Sequence, residues 1–404
     1  MASESHMTSY PILKLKPHRE ESVLSGHPWI FSGALDRVPI GIPQGGLVAI
    51  NSNDGQFLGV GSYGSMGSIS VRLFDRRDVV IGKDWFADIL RRAGERRKMM
   101  GYGPDTATTG YRVLFGESDG APGLVVDRYD KSIVFTLSTA GLDKLRPQII
   151  AAIDEVFSPA AIVERSDVSS RKEEGLENAI SVHKGEVDAP VEFTESGVKF
   201  LADTVQGQKT GFFLDQKDLR RAIGKAAAGR NTLNLFSYTG SSGIMAALGG
   251  ASSVHNVDGS ARALEVAGEN AKRATIAPDR FTAEKADVFK WLDSRRTPEY
   301  GMAMMDPPSI IKSRKDAKAG QKAYHFLNRA AIRLVVDGGL FVTSSCSQFL
   351  SREDFSQILR RAAYQAGVTL YAVGSFGQSA DHPSPPHFPE SDYLKSHIFQ
   401  VRRW

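Results

Sequence analysis

Cys346 is the only cysteine among 404 residues, and it stands in Thr343-Ser344-Ser345-Cys346-Ser347-Gln348 directly after an apolar run. A solitary cysteine is most often an inert, small apolar side chain. Its placement argues the other way. A thiolate that adds to carbon 6 of a pyrimidine turns carbon 5 into an enamine-like nucleophile able to attack a methyl sulfonium. Protonation at N3 assists, and Asp306, in Asp306-Pro307-Pro308-Ser309, is the nearest acid in the expected topology. Two prolines after that aspartate stop a strand abruptly and hold a rigid loop, which a simple turn does not require.

A second set of residues reads as a nucleoside-cofactor site. Asn234-Leu235-Phe236-Ser237-Tyr238-Thr239-Gly240-Ser241-Ser242-Gly243 is a small-residue loop opening a helix. Glycine there lets backbone approach a ligand and lets helix pack closely on strand. Asp258 ends the next strand, where a carboxylate can accept both ribose hydroxyls of an adenosyl group. Either feature alone also reads as a turn; together they favour a nucleoside. Asp287, after the third strand, is placed to meet an adenine amino group and is equally suited to cap the helix starting at Val288. The dinucleotide fingerprint needs a glycine nearer the strand, and Phe236 to Thr239 supplies none, which disfavours an oxidoreductase.

The elements that must position these residues follow from patterning. After Arg230, strands alternate with helices: Thr232 to Phe236, Ser253 to Val257, Phe281 to Lys285, Tyr300 to Met305, Gly339 to Ser344, Thr369 to Phe376 and Ser396 to Arg402, with helices over Ala261 to Arg273, Ala319 to Val336 and Glu353 to Ala366. The expected fold class is α/β, with a Rossmann-like, mostly parallel seven-stranded sheet whose ligands bind beyond the carboxyl ends of the strands. Ahead of it, Leu47 to Ile50, Phe57 to Val60 and Ile69 to Phe74 are short strands, with Asn53-Asp54-Gly55 as a hairpin signal. They make a small β-rich domain. In Gly26 to Phe31, Trp29 and Phe31 are either core or an RNA contact. A central α+β domain follows: a basic helix over Lys83 to Met100, a hairpin over Gly123 to Ser138, a helix over Leu142 to Phe157 and a strand over Ala160 to Arg165. The expected divisions are a leader over residues 1–7 and domains over 8–81, 82–190 and 191–404, the last boundary lying within Gly185 to Pro190.

Composition narrows the class. A net charge of +4 is mildly basic, so nucleic-acid binding would depend on local clusters. There are two, Arg91, Arg92, Arg96, Arg97 and Lys98, and Lys312, Arg314, Lys315, Lys318 and Lys322; each alone reads as a solvated helix face. One cysteine excludes an internal disulfide or a cysteine-rich zinc site, and no apolar run suits a membrane span. A cytoplasmic location is expected, with no metal.

In order, these residues resemble the bacterial 23S ribosomal RNA large-subunit cytosine-C5 methyltransferases that carry an N-terminal PUA domain. The resemblance covers nearly the whole chain after Met7. It is carried by His27-Pro28-Trp29-Ile30-Phe31-Ser32-Gly33, Glu164-Arg165-Ser166-Asp167-Val168, Arg171-Lys172-Glu173-Glu174-Gly175, Gln208-Lys209-Thr210-Gly211-Phe212-Phe213-Leu214-Asp215-Gln216, Asn234 to Gly240, Asp306 to Pro308, Ser345-Cys346-Ser347 and Ala380-Asp381-His382-Pro383. It implies a class I methyltransferase domain behind an RNA-docking PUA domain. S-adenosylmethionine would contact Gln208, Lys209, Phe236, Ser237, Tyr238, Thr239, Gly240, Asp258, Asp287 and Asp306. Cys346 would be the nucleophile with Asp306 as its acid, and Pro307, Pro308, Lys312, Arg314 and Lys315 would meet RNA. The implied partner is 23S ribosomal RNA, protein-free or in a partly assembled large subunit, with a homodimer left open. Ser309 stands where the family commonly has lysine, and Ser241-Ser242 replaces a glycine and a bulky residue. Two other readings stay open: N-methylation of a ribosomal RNA purine, which needs no thiol, and a non-catalytic RNA-binding or ribosome-assembly factor keeping a relic cofactor fold.

Overall fold

Seven strands of the C-terminal half pair in the order Phe281–Lys285, Ser253–Asp258, Asn231–Leu235, Tyr300–Met305, Val335–Ser345, Lys395–Arg403 and Val368–Phe376 in the computed structural model, which describes residues 9–187 and 190–404. The first five are parallel, and Lys395–Arg403 runs antiparallel to both neighbours. Helices cover the faces, so central strands are buried on both sides and read as unbroken apolar runs such as Gly301-Met302-Ala303-Met304-Met305. The core joins Leu233, Leu235, Ala303, Met305 and Phe341 of the sheet to Tyr324, Leu327 and Ala331 of helix Ala317–Arg333 and Phe355 and Leu359 of helix Arg352–Ala366.

Strands Phe281–Lys285 and Tyr300–Met305 and helix Ala261–Arg273 have the expected bounds. The helix expected to reach Val336 instead ends at Arg333, because Val335 pairs with Tyr300 and begins a long strand. Gly338, at φ +73°, lets that strand bend before Leu340 pairs with Met302.

The chain forms two compact units: the described residues up to Gly197 with Ala202–Phe212 and Ala380–Ser391, and Val198–Leu201 with Phe213–Ser379 and Asp392–Trp404. The expected leader, residues 1–7, lies outside the described residues, as do residues 188 and 189 of the expected boundary segment. The first unit holds two five-stranded sheets. One pairs Ile12–Lys14, Leu47–Asn51, Phe57–Tyr63, Ile69–Asp75 and Trp29–Phe31, and the other Ala179–Lys184, Ala161–Ser166, Ser132–Leu137, Leu124–Tyr129 and Gly110–Phe115. The helix expected over Leu142 to Phe157 is two helices, Ala140–Lys144 and Arg146–Phe157, since Pro147 has no N–H to continue the first and suits the opening turn of the second.

The first basic cluster is mostly structural. Arg97 is 1% exposed, donates to both carboxylate oxygens of Asp119 at 2.8 and 2.6 Å and to the carbonyl of Asp381 at 2.7 Å. Arg96 also pairs with Asp119, Arg91 with Glu155 and Arg92 with Asp88. Trp29 packs edge-on against Phe388 with centroids 4.9 Å apart, and its Nε1–H donates to Glu117 at 2.9 Å. Among the described residues no helix is long and apolar enough to cross a membrane, and no group of His, Cys, Asp and Glu is arranged to hold a metal.

Candidate active site

Parallel pairing gathers the strand ends that carry the candidate chemistry. Leu235 pairs with Val257 on one side and Met305 on the other, and Met305 pairs with Thr343. The residues that end or follow each strand, Phe236 to Gly240, Asp258, Asp306 and Cys346, therefore share one carboxyl edge. That edge straddles the point where strand order reverses, the usual ligand crevice of such sheets.

The loop after the first strand is wound tightly. Phe236, Tyr238 and Gly240 have φ of 56°, 47° and 75°. Non-glycine residues hold such conformations at a cost of about 1–3 kcal/mol, and they gather at ligand sites. At Gly240 a Cβ would lie 2.9 Å from the Cβ of Ala267, so helix Ser241–Leu248 can start there only without a side chain. The Tyr238 N–H donates to Asp258 Oδ2 at 2.9 Å and the Ser260 N–H to Oδ1 at 2.8 Å, which fixes the carboxylate at the strand end. The hydroxyl oxygens of Ser237 and Thr239 are buried without a hydrogen-bond partner. Buried polar atoms are rarely left so unless a ligand or water completes them. This loop thus fits a cofactor with its own donors and acceptors, as a nucleoside has.

Asp287 is the N-cap of helix Val288–Asp293, its Oδ1 accepting from the N–H groups of Phe289 and Lys290 at 2.9 and 3.2 Å. The cap role is therefore real, whatever else the carboxylate does. Phe289, 39% exposed, stacks on Phe326 and meets Phe236 edge-on, an aromatic wall beside the loop.

Asp306 is partly buried, and its Oδ2 accepts from Gln216 Nε2 at 2.9 Å. Gln216 was not among the residues singled out by spacing, although it closes the Gln208 to Gln216 segment. Cys346 is partly exposed, at the tip of Val335–Ser345, between the buried Ser345 and Ser347. Both serines meet the buried Tyr324 hydroxyl, which accepts from Ser345 Oγ at 3.0 Å and lies 2.9 Å from Ser347 Oγ. Burial raises the Tyr324 phenol above its ordinary range, so it stays protonated. Ser309 Oγ lies 3.2 Å from Ser347 Oγ, and the Ile311 N–H donates to the same oxygen at 3.2 Å. Ser309 therefore ties the Asp306 loop to the cysteine loop, a bond that no local pattern announces.

Pro307 is buried and Pro308 exposed, and Lys312, Arg314 and Lys315 are exposed on the loop leading to helix Ala317–Arg333. Lys318 and Lys322 line a cavity of about 870 Å³ with His325, Arg360 and Arg361, and Asp354 is the acid in that lining. Gln208 and Lys209 belong to the first unit, on a turn closed by the Gly211 N–H donating to the Gln208 carbonyl, with Lys209 at φ 51°. That turn is clamped by Arg165, which donates to the carbonyls of Thr204 and Gly207 at 3.0 and 2.7 Å while paired with Asp167. Asp381 and His382 are likewise buried in the first unit, where Asp381 Oδ2 accepts from the Arg112 N–H at 2.9 Å.

The fold and this edge are those of a methyltransferase that uses S-adenosylmethionine, preceded by a PUA-like domain, as two family matches show. Residues 161–394 match the S-adenosylmethionine-dependent methyltransferase family, and residues 13–76 match a PUA-like domain family. The chain belongs to the S-adenosylmethionine-dependent methyltransferases, in the group of proteins called ribosomal RNA large subunit methyltransferase I. It is 36% identical to such a protein from Shewanella amazonensis over 394 residues, covering 96% of this chain and 99% of that one, and 37% identical to one from Aeromonas salmonicida over 393 residues, covering 95% and 98%. Among solved structures, a putative SAM-dependent methyltransferase from Streptococcus mutans shares the fold with a TM-score of 0.81 at 21% identity, covering 97% of this chain and all of that one. A putative methyltransferase complexed with SAH does so with a TM-score of 0.83 at 22% identity, over 97% of this chain and 100% of its own.

Proposed function

We propose that this protein methylates carbon 5 of a cytosine in 23S ribosomal RNA, with Cys346 as covalent nucleophile. The observation that carries the reading is the pairing of Met305 with Thr343, which sets Asp306 and Cys346 at the ends of adjacent strands, beside the loop of Phe236 to Gly240. Ribosomal RNA as substrate is supported by the name the relatives bear.

S-adenosylmethionine, when bound, supplies an electrophilic methyl group. Asp258 would hold the ribose hydroxyls, Ser237 and Thr239 would complete their buried hydroxyls on the cofactor, and Asp287 and Asp306 would meet the adenine and the reacting end. Gln208 and Lys209 keep their assignment to the cofactor from the resemblance of their segment. On the substrate side the Cys346 thiolate would add to carbon 6 of the base as Asp306 protonates N3, making carbon 5 the nucleophile that takes up the methyl group; loss of the carbon-5 proton to solvent, expulsion of the thiolate and return of the N3 proton to Asp306 would then restore the ring and both side chains. Lys312, Arg314 and Lys315 would meet phosphates, with Pro307 and Pro308 forming the rigid lip.

Mass spectrometry of ribosomal RNA from a strain lacking this protein tests the reading. One 5-methylcytidine should disappear and return with the wild type but not with Cys346→Ala. Return of an unchanged methylated base with Cys346→Ala would exclude the covalent route and leave purine N-methylation.

A further inference from the structure

Lys395 opens the strand that pairs antiparallel with the cysteine-bearing strand, in register with Ser345, the residue before Cys346. Its side chain is 3% exposed. The ammonium donates to the carbonyls of Ser347 and Leu350, both at 2.8 Å, so it sits inside the turn that begins at Cys346. An ammonium has three N–H donors. Two are spent on that turn, and among the described residues no carboxylate completes a salt bridge with Nζ. A buried cation without an anionic partner is costly and is normally paired or discharged.

The charges around it do not supply the partner. Arg352, at the start of helix Arg352–Ala366, is engaged by Asp392 at 2.6 Å and by the Leu394 carbonyl. Tyr324, from helix Ala317–Arg333, is a neutral phenol held by Ser345 and Ser347. His397, two residues on along the strand, is pushed toward its neutral form by burial and by Arg352. The groups able to carry a negative charge toward the turn are Asp392, which is held by Arg352, and the Cys346 thiol.

We infer that Lys395 is a positioning residue for Cys346: its buried ammonium shapes the turn through Ser347 and Leu350 and favours the thiolate at neutral pH. The inference rests on the nucleophile reading of Cys346 for its consequence in catalysis, and on the placement of the ammonium in the turn after Cys346 for its effect on the thiol. A cationic neighbour lowers a thiol below its usual value near 8.5. The coupling is reciprocal: burial, then Arg352, pull Lys395 down to about 8, while Cys346 and Asp392 act in the opposite direction. At pH 7 the lysine is therefore still mostly charged.

Because Cys346 is the sole cysteine, alkylation of the intact enzyme by iodoacetamide reports on it alone. The wild-type rate against pH should show a midpoint roughly one unit or more below 8.5. Lys395→Met should raise that midpoint by at least about one unit, and Lys395→Arg should keep most of the depression. In methyl transfer, Lys395→Met should lose about tenfold in kcat at pH 7, with KM for the cofactor unchanged, and regain activity at pH 9, which a merely unfolded variant could not do. A wild-type midpoint at or above 8.5 overturns the inference without any variant. So does an unchanged midpoint in Lys395→Met that still binds S-adenosylmethionine. If Cys346→Ala retains methyl transfer while the alkylation midpoint moves as stated, the nucleophile reading fails and the Lys395 assignment stands.

Discussion

Gln216 donates its side-chain N–H to Oδ2 of Asp306 at 2.9 Å, from a short 3-10 turn ahead of the first strand to the loop after the fourth. The bond fixes one carboxylate oxygen of Asp306, the acid of the proposed reaction. Gln216→Ala should leave cofactor affinity within about threefold yet cut kcat by roughly 10–100-fold, since one charge-assisted hydrogen bond is worth about 1.5–3 kcal/mol. Steady-state kinetics beside calorimetry separate the two; an unchanged kcat would show that Asp306 needs no orienting partner.

Asp258 has both oxygens held by backbone N–H groups, so the strand end uses two acceptors there. Asp258→Asn keeps the shape, removes the charge and turns one of those acceptors into a donor facing a backbone N–H. Binding of S-adenosylmethionine should weaken by about 10–100-fold, with only a small fall in melting temperature. A variant that binds normally would remove Asp258 from the cofactor site.

Lys312, Arg314 and Lys315 lie on the stretch after Asp306, and Lys318 and Lys322, on the helix that follows, line the cavity shared with Arg360 and Arg361. Replacing Lys318, Lys322 and Arg361 by Glu should weaken binding to ribosomal RNA fragments of any sequence alike. The slope of log affinity against log salt should become shallower by roughly 0.7–0.9 for each phosphate that is no longer neutralised. Equal affinity and slope before and after would make the stripe an ordinary solvated face.

Arg97 and Asp119 form a buried pair. Arg97→Ala leaves Asp119 without its main counter-charge, and stability should fall by about 3–5 kcal/mol in denaturant titration. Burial alone would raise the Asp119 carboxyl, but the hydrogen bonds and charge of Arg97, with Arg96 and the Phe115 N–H, outweigh it and lower the group. A carboxyl lowered by folding stabilises above its unfolded value near 3.9 and loses that contribution as pH falls toward its folded value. Wild type should thus lose stability with acid below about pH 4, and the variant should lose less.

Much was legible in the chain itself. The small-residue loop after Leu235, the aspartate with two prolines and the lone cysteine each lie at a strand end, and strand ends follow from apolar periodicity and its breakers. Because a doubly wound sheet places its strands' carboxyl ends on one edge, residues far apart in sequence could be assigned to one crevice without coordinates. Spacing could also mark Asp287 as a cap, since capping is a contact over two or three residues. It could not distinguish the basic helix whose Arg97 is buried from the basic loop whose Lys312 is exposed, because both are runs of cations and only the packing around them differs.

What the sequence determined by itself was therefore the order of elements, the small-residue loop after the first strand and the candidacy of Cys346, all local patterns repeated along one chain. Tertiary structure alone decided that Gln216 holds Asp306, that Ser309 bonds to Ser347, and that Lys395 lies under the cysteine turn. Each of those bonds joins residues 38 to 90 positions apart through side chains whose partners are set by strand register and burial. No periodicity encodes them, so Cys346 could be singled out from its place in the chain while the groups that hold its turn could not.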